Sequence, residues 1–281
     1  MEIRYLSQEE KENSRVLYEE VFVEDEKAFV DAYYKIKAAD NEILAVMDEE
    51  SIVAMLHRNP YTFRFRDKSL RADYLVAVAT RRSYRHQGLM RRLLTRALQD
   101  MEREKQPFAF LMPADEAIYL PFDFRLMGNE YEEGLASLEE KLLSETYDLY
   151  IEKNEDYHKR HISWPEWEAT PMMMRLVHLP SFVSQIGAEN EQDLLLAVTD
   201  PILAENQGTF RWQFTTEGSR LLPVTEEPEL TVSIADLGSF LCGMTGPEEL
   251  LEACPEEKRA EVQKKLSAIR VLEGIYINET V

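Results

Sequence analysis

The stretch Val78-Ala79-Thr80-Arg81-Arg82-Ser83-Tyr84-Arg85-His86-Gln87-Gly88-Leu89-Met90 decides how this 281-residue chain is read. An apolar strand runs into a polar turn carrying Gly88, and the turn opens directly into a helix. From Leu89 the apolar positions are Leu89, Leu93, Leu94, Ala97, Leu98 and Met101, a stripe along one helical face with arginines on the others. A helix that begins where a strand ends gathers unpaired backbone N–H groups and the positive end of its dipole at one point, and phosphate binds at such a point. Gly88 lets a ligand approach the main chain closely, and Arg85 with its neighbours supplies positive charge. Arg81 to Arg96 contains six arginines and no carboxylate. A solvated helix face would show the same arginines, so charge alone leaves both readings open.

Outward from this stretch, residues 51–100 hold 11 Lys/Arg and 3 Asp/Glu, whereas the whole chain carries a net charge of −21. General nucleic-acid binding is opposed by that balance, because most of the surface repels phosphate. With 44% hydrophobic residues, a disordered chain is excluded. No apolar run reaches the roughly 18 residues that a membrane helix needs, and the charged start MEIRYLSQEEKE is unlike a signal peptide, so a cytoplasmic protein without membrane contact is expected. Cys242 and Cys254 lack clustered Cys/His partners, which points to free thiols and no metal site. No Gly-x-Ser-x-Gly occurs either, so a nucleophilic serine or cysteine finds little support.

The first forty residues read as helical. Strands are expected over Glu42–Met47, Ile52–Leu56, Tyr74–Thr80 and Phe108–Met112, a short helix at Ala117–Tyr119, and a return strand at Phe122–Leu126. Residues 131–168 read as an acidic helical connector. Beyond it, residues 161–250 carry three basic and fourteen acidic residues, and strands at Met172–Val177, Leu194–Val198, Thr209–Phe214 and Leu230–Ile234, with helices at Pro180–Ile186 and Pro255–Leu266, suit an α+β layer. Three segments follow: residues 1–130, 131–168 and 169–281.

The Gly88 stretch resembles the acyl-CoA signature of the GNAT acetyltransferase superfamily, Arg/Gln-x-x-Gly-x-Gly/Ala, with Arg85, Gly88 and Met90 in the three named places. Met90 replaces a small residue, and Arg82 stands where many relatives carry proline. The resemblance implies acetyl-CoA as co-substrate, bound by Val78, Ala79, Thr80, Arg85, His86, Gln87, Gly88, Leu89, Met90 and Arg91. It also implies that the strand ending at Thr80 and the strand Phe108–Met112 splay apart, so that Val78 to Thr80 pair with the pantetheine arm. Ile118-Tyr119-Leu120-Pro121-Phe122-Asp123-Phe124 resembles a second superfamily segment, whose tyrosine lies beside the CoA sulfur. Tyr119 fills that place as general acid for the leaving thiolate, and Asp123 replaces the usual glycine. A core tyrosine with a satisfied hydroxyl is the plain alternative.

Pro171-Met-Met-Met-Arg-Leu-Val, Asp200-Pro201, Asn206-Gln-Gly208 and Ile277-Asn278-Glu279 are similar to the carboxy-terminal sterol-carrier-protein-like domain of the enhanced intracellular survival acetyltransferase family. A middle acetyltransferase unit of that family has no room here, so the chain resembles a shortened relative. The implied fold is an α/β GNAT fold, a mixed sheet with splayed central strands flanked by helices, plus a carboxy-terminal α+β sterol-carrier-protein-like domain. The implied activity is direct acetyl transfer to a small cationic amine. By the same resemblance the α-carboxylate of Val281 enters the acceptor cleft and takes a proton, and Glu24 and Asp115 are candidate substrate-binding carboxylates. The alternative is a non-catalytic CoA- or hydrophobe-binding protein that keeps the fold. A homo-oligomer stays open.

Overall fold

The computed structural model describes residues 1–127, 140–162, 171–277 and 279. Their strands in chain order are β1 (Glu2–Tyr5), β2 (Glu42–Asp48), β3 (Ser51–Phe65), β4 (Lys68–Thr80), β5 (Phe108–Leu111), β6 (Arg125–Met127), β7 (Leu149–Ile151), β8 (Met172–Leu176), β9 (Gln192–Thr199), β10 (Gly208–Phe214), β11 (Ser219–Pro223), β12 (Leu230–Ser233) and β13 (Ile275–Tyr276). A large mixed sheet runs β1-β2-β3-β4-β5-β8-β6, with β7 paired to β3 and β13 to β7. A second sheet runs β11-β10-β9-β12.

The hairpin β3–β4 is longer than the sequence pattern suggests. Its ladder extends from Phe65↔Lys68 to Ala54↔Thr80, so the polar segment around Asp67 contracts to a tight turn with Arg66 at φ 51°. Alternation explains the extension: Tyr61, Phe63 and Phe65 are buried while Thr62 and Arg64 are partly exposed, the period of two that a half-buried strand requires. One irregularity interrupts the ladder between Met55 and His57, where β4 carries Ala77 at φ 49° as a bulge.

On its other edge β4 runs parallel to β5, but only Asp73↔Ala109 and Tyr74↔Phe110 pair. The base of this short ladder is clamped by side chains. Gln106 accepts from the Asp73 backbone N–H at 3.0 Å and donates to Asp73 Oδ2 at 3.0 Å, and the buried Arg58 guanidinium reaches Asp73, Glu104 and the Tyr5 hydroxyl. Beyond Tyr74 the two strands part, and no strand of the described residues pairs with the outer edge of Leu75–Thr80. The helix Leu89–Arg103 joins the two strands and buries the stripe read from the sequence, Leu89, Leu93, Leu94, Ala97, Leu98 and Met101.

Several elements differ from the sequence expectation. The first forty residues contain β1, a four-residue strand too short for periodicity to reveal. The connector is helical only in part: Glu140–Thr146 and Glu155–Arg160 are helices, and β7 lies between them. Met172–Leu176, read from sequence as part of the second unit, is β8 and sits in the large sheet between β5 and β6. Met172, Met173 and Met174 are core residues there. The apolar run after Leu230 divides at Ser233, whose Oγ accepts from the Asp236 backbone N–H at 3.0 Å and starts the helix Ile234–Leu241.

One fully buried ion pair joins the two sheets. Arg175 on β8 donates from Nη2 to Asp200 Oδ1 at 2.6 Å, and both side chains have 0% exposure. Asp200 follows β9 and also accepts from the backbone N–H groups of Ile202 and Leu203 and from Asn206 Nδ2. Breaking such a pair leaves a charge without water or partner. Asp200→Ala should therefore cost about 3 to 5 kcal/mol of stability in urea unfolding at neutral pH.

Candidate functional site

After Thr80 the chain makes a 3-10 turn, Arg82–Tyr84, and reaches Gly88 through His86 at φ 62°. Gly88 itself has φ 74° and caps the following helix without a side-chain hydrogen bond. Its O accepts from Arg92 N at 3.1 Å, so the earlier N–H groups of the first turn lack the intrahelical acceptor that later residues have. The turn is tied down at its margins. Tyr84 donates to Asp48 at 2.7 Å, Arg81 to Glu20 at 3.0 Å, and Arg85 Nε to the Thr80 carbonyl at 3.2 Å. Arg85, His86, Gln87, Gly88 and Arg91 are exposed. Leu89 lies in the core and Met90 packs against it. Ala79 likewise packs into the cluster around Tyr18 and Phe29, leaving its main chain at the β4 edge.

Tyr119 closes a four-residue helix, Glu116–Tyr119, whose N-cap is Asp115: its Oδ1 accepts from Ala117 N at 2.9 Å. Asp115 thus holds the Tyr119 segment in place. The Tyr119 ring is buried edge-on to Phe124 at 6.1 Å, and its hydroxyl has no hydrogen-bond partner among the described residues. Burial pushes its pKa up to about 12, which keeps the phenol protonated through the neutral range. Asp123 ends the next turn at φ 63°, a left-handed conformation that aspartate tolerates better than most residues and that glycine adopts without strain. Its carboxylate lies 3.7 Å from Arg175, and burial raises its pKa. The Arg91 guanidinium sits 4.9 Å over the Phe122 ring, linking this segment to the Gly88 helix.

Glu24 is exposed in the turn between helices Arg15–Val21 and Lys27–Tyr33 and has no hydrogen-bond partner among the described residues. Val281 lies outside the described residues. Both cysteines are free and buried, and burial pushes the Cys242 thiol up to about 12, far from a thiolate nucleophile. Among the described residues no group of three or more His, Cys, Asp and Glu side chains could hold a metal, and no helix is long and apolar enough to cross a membrane.

Sequence reasoning missed a second cluster beside the strand opening. The Tyr61 hydroxyl donates to Glu279 at 2.8 Å and accepts from Lys37 Nζ at 2.7 Å. Burial lowers the Lys37 pKa to about 8 against the opposing pull of Glu279. Tyr74, the last β4 residue paired to β5, stacks on Phe110 at 4.9 Å; its pKa is raised by burial and by the charges of Glu279 and Tyr119. Tyr61, whose ring lies 6.2 Å from Tyr74, thus places Glu279 beside the point where β4 and β5 part. In the sequence, the apolar run Ile275-Tyr276-Ile277 and the segment Ile277-Asn278-Glu279 pointed to this end of the chain, but not to its contact with Tyr61.

This architecture is a GNAT sheet with an added α+β unit, and the comparisons agree. A family model described as "Acetyltransferase (GNAT) domain" matches residues 2–127, and one described as "Sterol carrier protein domain" matches residues 179–271. The amino-terminal part of the chain thus carries a GNAT acetyltransferase domain and the carboxy-terminal part a sterol-carrier-protein domain. No curated relative matches the sequence. Among solved structures, it is similar to an Enterococcus faecalis V583 protein described as "Probable N-Acyltransferase", at 12% identity over 98% of each chain with a TM-score of 0.74. It is also similar to a GCN5-related N-acetyltransferase from Anabaena variabilis, at 15% identity over 93% of this chain and 96% of the other with a TM-score of 0.65. Eis1 from Mycobacterium abscessus is 12% identical over 96% and 94%, with a TM-score of 0.63. These likenesses establish a shared fold.

A methyl group at Gly88 would meet nothing within 4 Å, so only the backbone conformation opposes it. Gly88→Ala should cost about 1 kcal/mol of stability. If the turn receives a phosphate, the same methyl group stands in its path, and calorimetry should show the affinity for CoA falling by a larger factor than stability explains.

Proposed function

We propose that the protein is an acetyl-CoA-dependent N-acetyltransferase that acts on a small cationic amine by direct attack. The observation that carries this reading is the end of the β4–β5 ladder at Tyr74↔Phe110, which leaves the outer main-chain edge of Leu75–Thr80 leading directly into the Gly88 turn. An extended pantetheine arm can pair with that edge while its pyrophosphate meets the exposed N–H groups and Arg85. The acyl thioester then lies at the strand opening, beside Tyr119.

In this scheme the amine nitrogen attacks the thioester carbonyl, and a C–N bond forms as the carbonyl oxygen takes up negative charge. Collapse of the tetrahedral intermediate re-forms the carbonyl and breaks the C–S bond. The departing thiolate takes the proton of Tyr119, which burial keeps in place. Before attack the ammonium gives one proton to the carboxylate proposed at Val281 or to water, which frees the nitrogen lone pair; after attack the nitrogen gives a second proton to solvent, and the phenol recovers one from solvent. The acidic balance of the chain favours a cationic acceptor through long-range attraction.

A panel of polyamines, aminoglycosides, amino acids and peptides, assayed for CoA release, tests the activity. CoA binding without turnover on any of them would favour the non-catalytic alternative. Two substitutions test the parts. Arg85→Ala should weaken acetyl-CoA binding by about 1 to 3 kcal/mol, read by calorimetry. Tyr119→Phe removes only a hydroxyl without a partner among the described residues, so folding and acetyl-CoA affinity should persist while turnover falls roughly 10²- to 10⁴-fold. Full activity in that variant would remove the role.

A further inference from the structure

Elements far apart in sequence meet at one buried carboxylate. Glu279 is 5% exposed and accepts from the hydroxyl of Tyr61 on β3; burial and the charge of Glu279 raise the pKa of Tyr157 in the helix Glu155–Arg160. Lys37, 2% exposed, donates to the Tyr61 oxygen, and its ammonium lies 4.9 Å from the centre of the Tyr61 ring. Tyr61 is thus bridged between a cation and an anion, giving its proton to one and a lone pair to the other.

Two further features separate this cluster from ordinary packing. Lys37 belongs to the π-helical turn Tyr34–Ala38, a widened turn that is rare and recurs where a helix must present a residue at a functional place. Burying an ammonium and a carboxylate also carries a desolvation cost that apolar side chains would avoid, so the pair has to supply something beyond stability. Its place supplies the reason: the Tyr61 ring is 6.2 Å from Tyr74 and 5.8 Å from Phe110, the last pair before β4 and β5 part.

We propose that Lys37, Tyr61 and Glu279 form a clasp that seats the segment after β12, from β13 to Glu279, against the opening between β4 and β5, making Glu279 a positioning residue for acetyl transfer to the amine. The inference rests on the acetyltransferase reading above. Glu279 is engaged by the Tyr61 hydroxyl, so it orients the acceptor side and does not itself take the substrate proton. The clasp makes the second unit part of the reaction site.

Tyr61→Phe and Glu279→Gln test this while preserving side-chain shape. In both, amide exchange followed by mass spectrometry should accelerate by about tenfold in the peptide covering residues 272–281 and stay unchanged in the helix Leu89–Arg103, the factor expected for one lost charge-assisted hydrogen bond. In both, kcat for an amine taken by the wild-type protein should fall by about tenfold or more. The acetyl-CoA dissociation constant should stay within about twofold, because the Gly88 turn is untouched. Unchanged exchange in residues 272–281 would overturn the clasp. Faster exchange with undiminished kcat would overturn the positioning role. If the wild-type protein transfers acetyl to no amine of the panel, the acetyltransferase reading fails and takes the positioning role with it, while exchange still decides the contact by itself.

Discussion

Arg175 and Asp200 are the charge pair on which the relation between the two sheets rests. Both are wholly buried, and bringing a guanidinium and a carboxylate out of water costs several kcal/mol per ion before any attraction is counted. The structure offsets that cost by leaving few polar atoms idle. Arg175 also donates to the carbonyls of Phe122 and Leu176, and Asp200 accepts from two backbone N–H groups and from Asn206. Asn206 in turn bonds the Val177 carbonyl and the Leu179 N–H. This network fixes three things together: the exit of β8, the loop after β9, and the Phe122 turn that follows Tyr119. The proposed proton donor is therefore held partly by the second unit.

The other unifying element is β3. From Met55 onward its odd-numbered side chains alternate with the even ones, and their partners change along its length. Met55 packs in the cluster with Tyr18 and Phe29, His57 bonds the Tyr33 hydroxyl, and Tyr61 bridges Lys37 and Glu279. Phe63 then meets Phe108 and Phe110, and Phe65 meets Phe182 of the second unit. A strand of 15 residues spans about 50 Å, so one element touches the amino-terminal helices, the strand opening and the second core.

How much of this was legible follows from the range of the interactions. The Gly88 turn and its helix are local: strand, glycine and apolar stripe lie within about two dozen residues, and their pattern determines the geometry. Three of the second-sheet strands, β9, β10 and β12, were readable for the same reason, and β11 (Ser219–Pro223) was not. Membership of a sheet was not. Met172–Leu176 reads as a buried strand from its residues, but nothing local says that it inserts between β5 and β6. The Tyr61–Glu279 contact spans more than two hundred residues and depends on a widened turn at Lys37, which periodicity cannot reveal. The packing of Met90 against the core and the left-handed φ of Asp123, both at departures from the family pattern, became visible only in the structure.

The insertion of β8 and the pairing of β7 and β13 also set an order of assembly during synthesis. At about 5 to 20 residues per second, β13 emerges from the ribosome roughly ten to thirty seconds after β5. The edge of β5 waits roughly 3 to 12 seconds for β8, about 60 residues later in the chain, and β7, once paired to β3, waits longer for β13. These are apolar strands with unpaired backbone, the surface most inclined to join another chain. A nascent chain of this protein thus passes through an interval with a half-built sheet, and the edge of β7 is covered only when β13 arrives. Cellular holding factors that cover strand edges would matter more for its yield than for that of a GNAT domain whose sheet is contiguous in sequence.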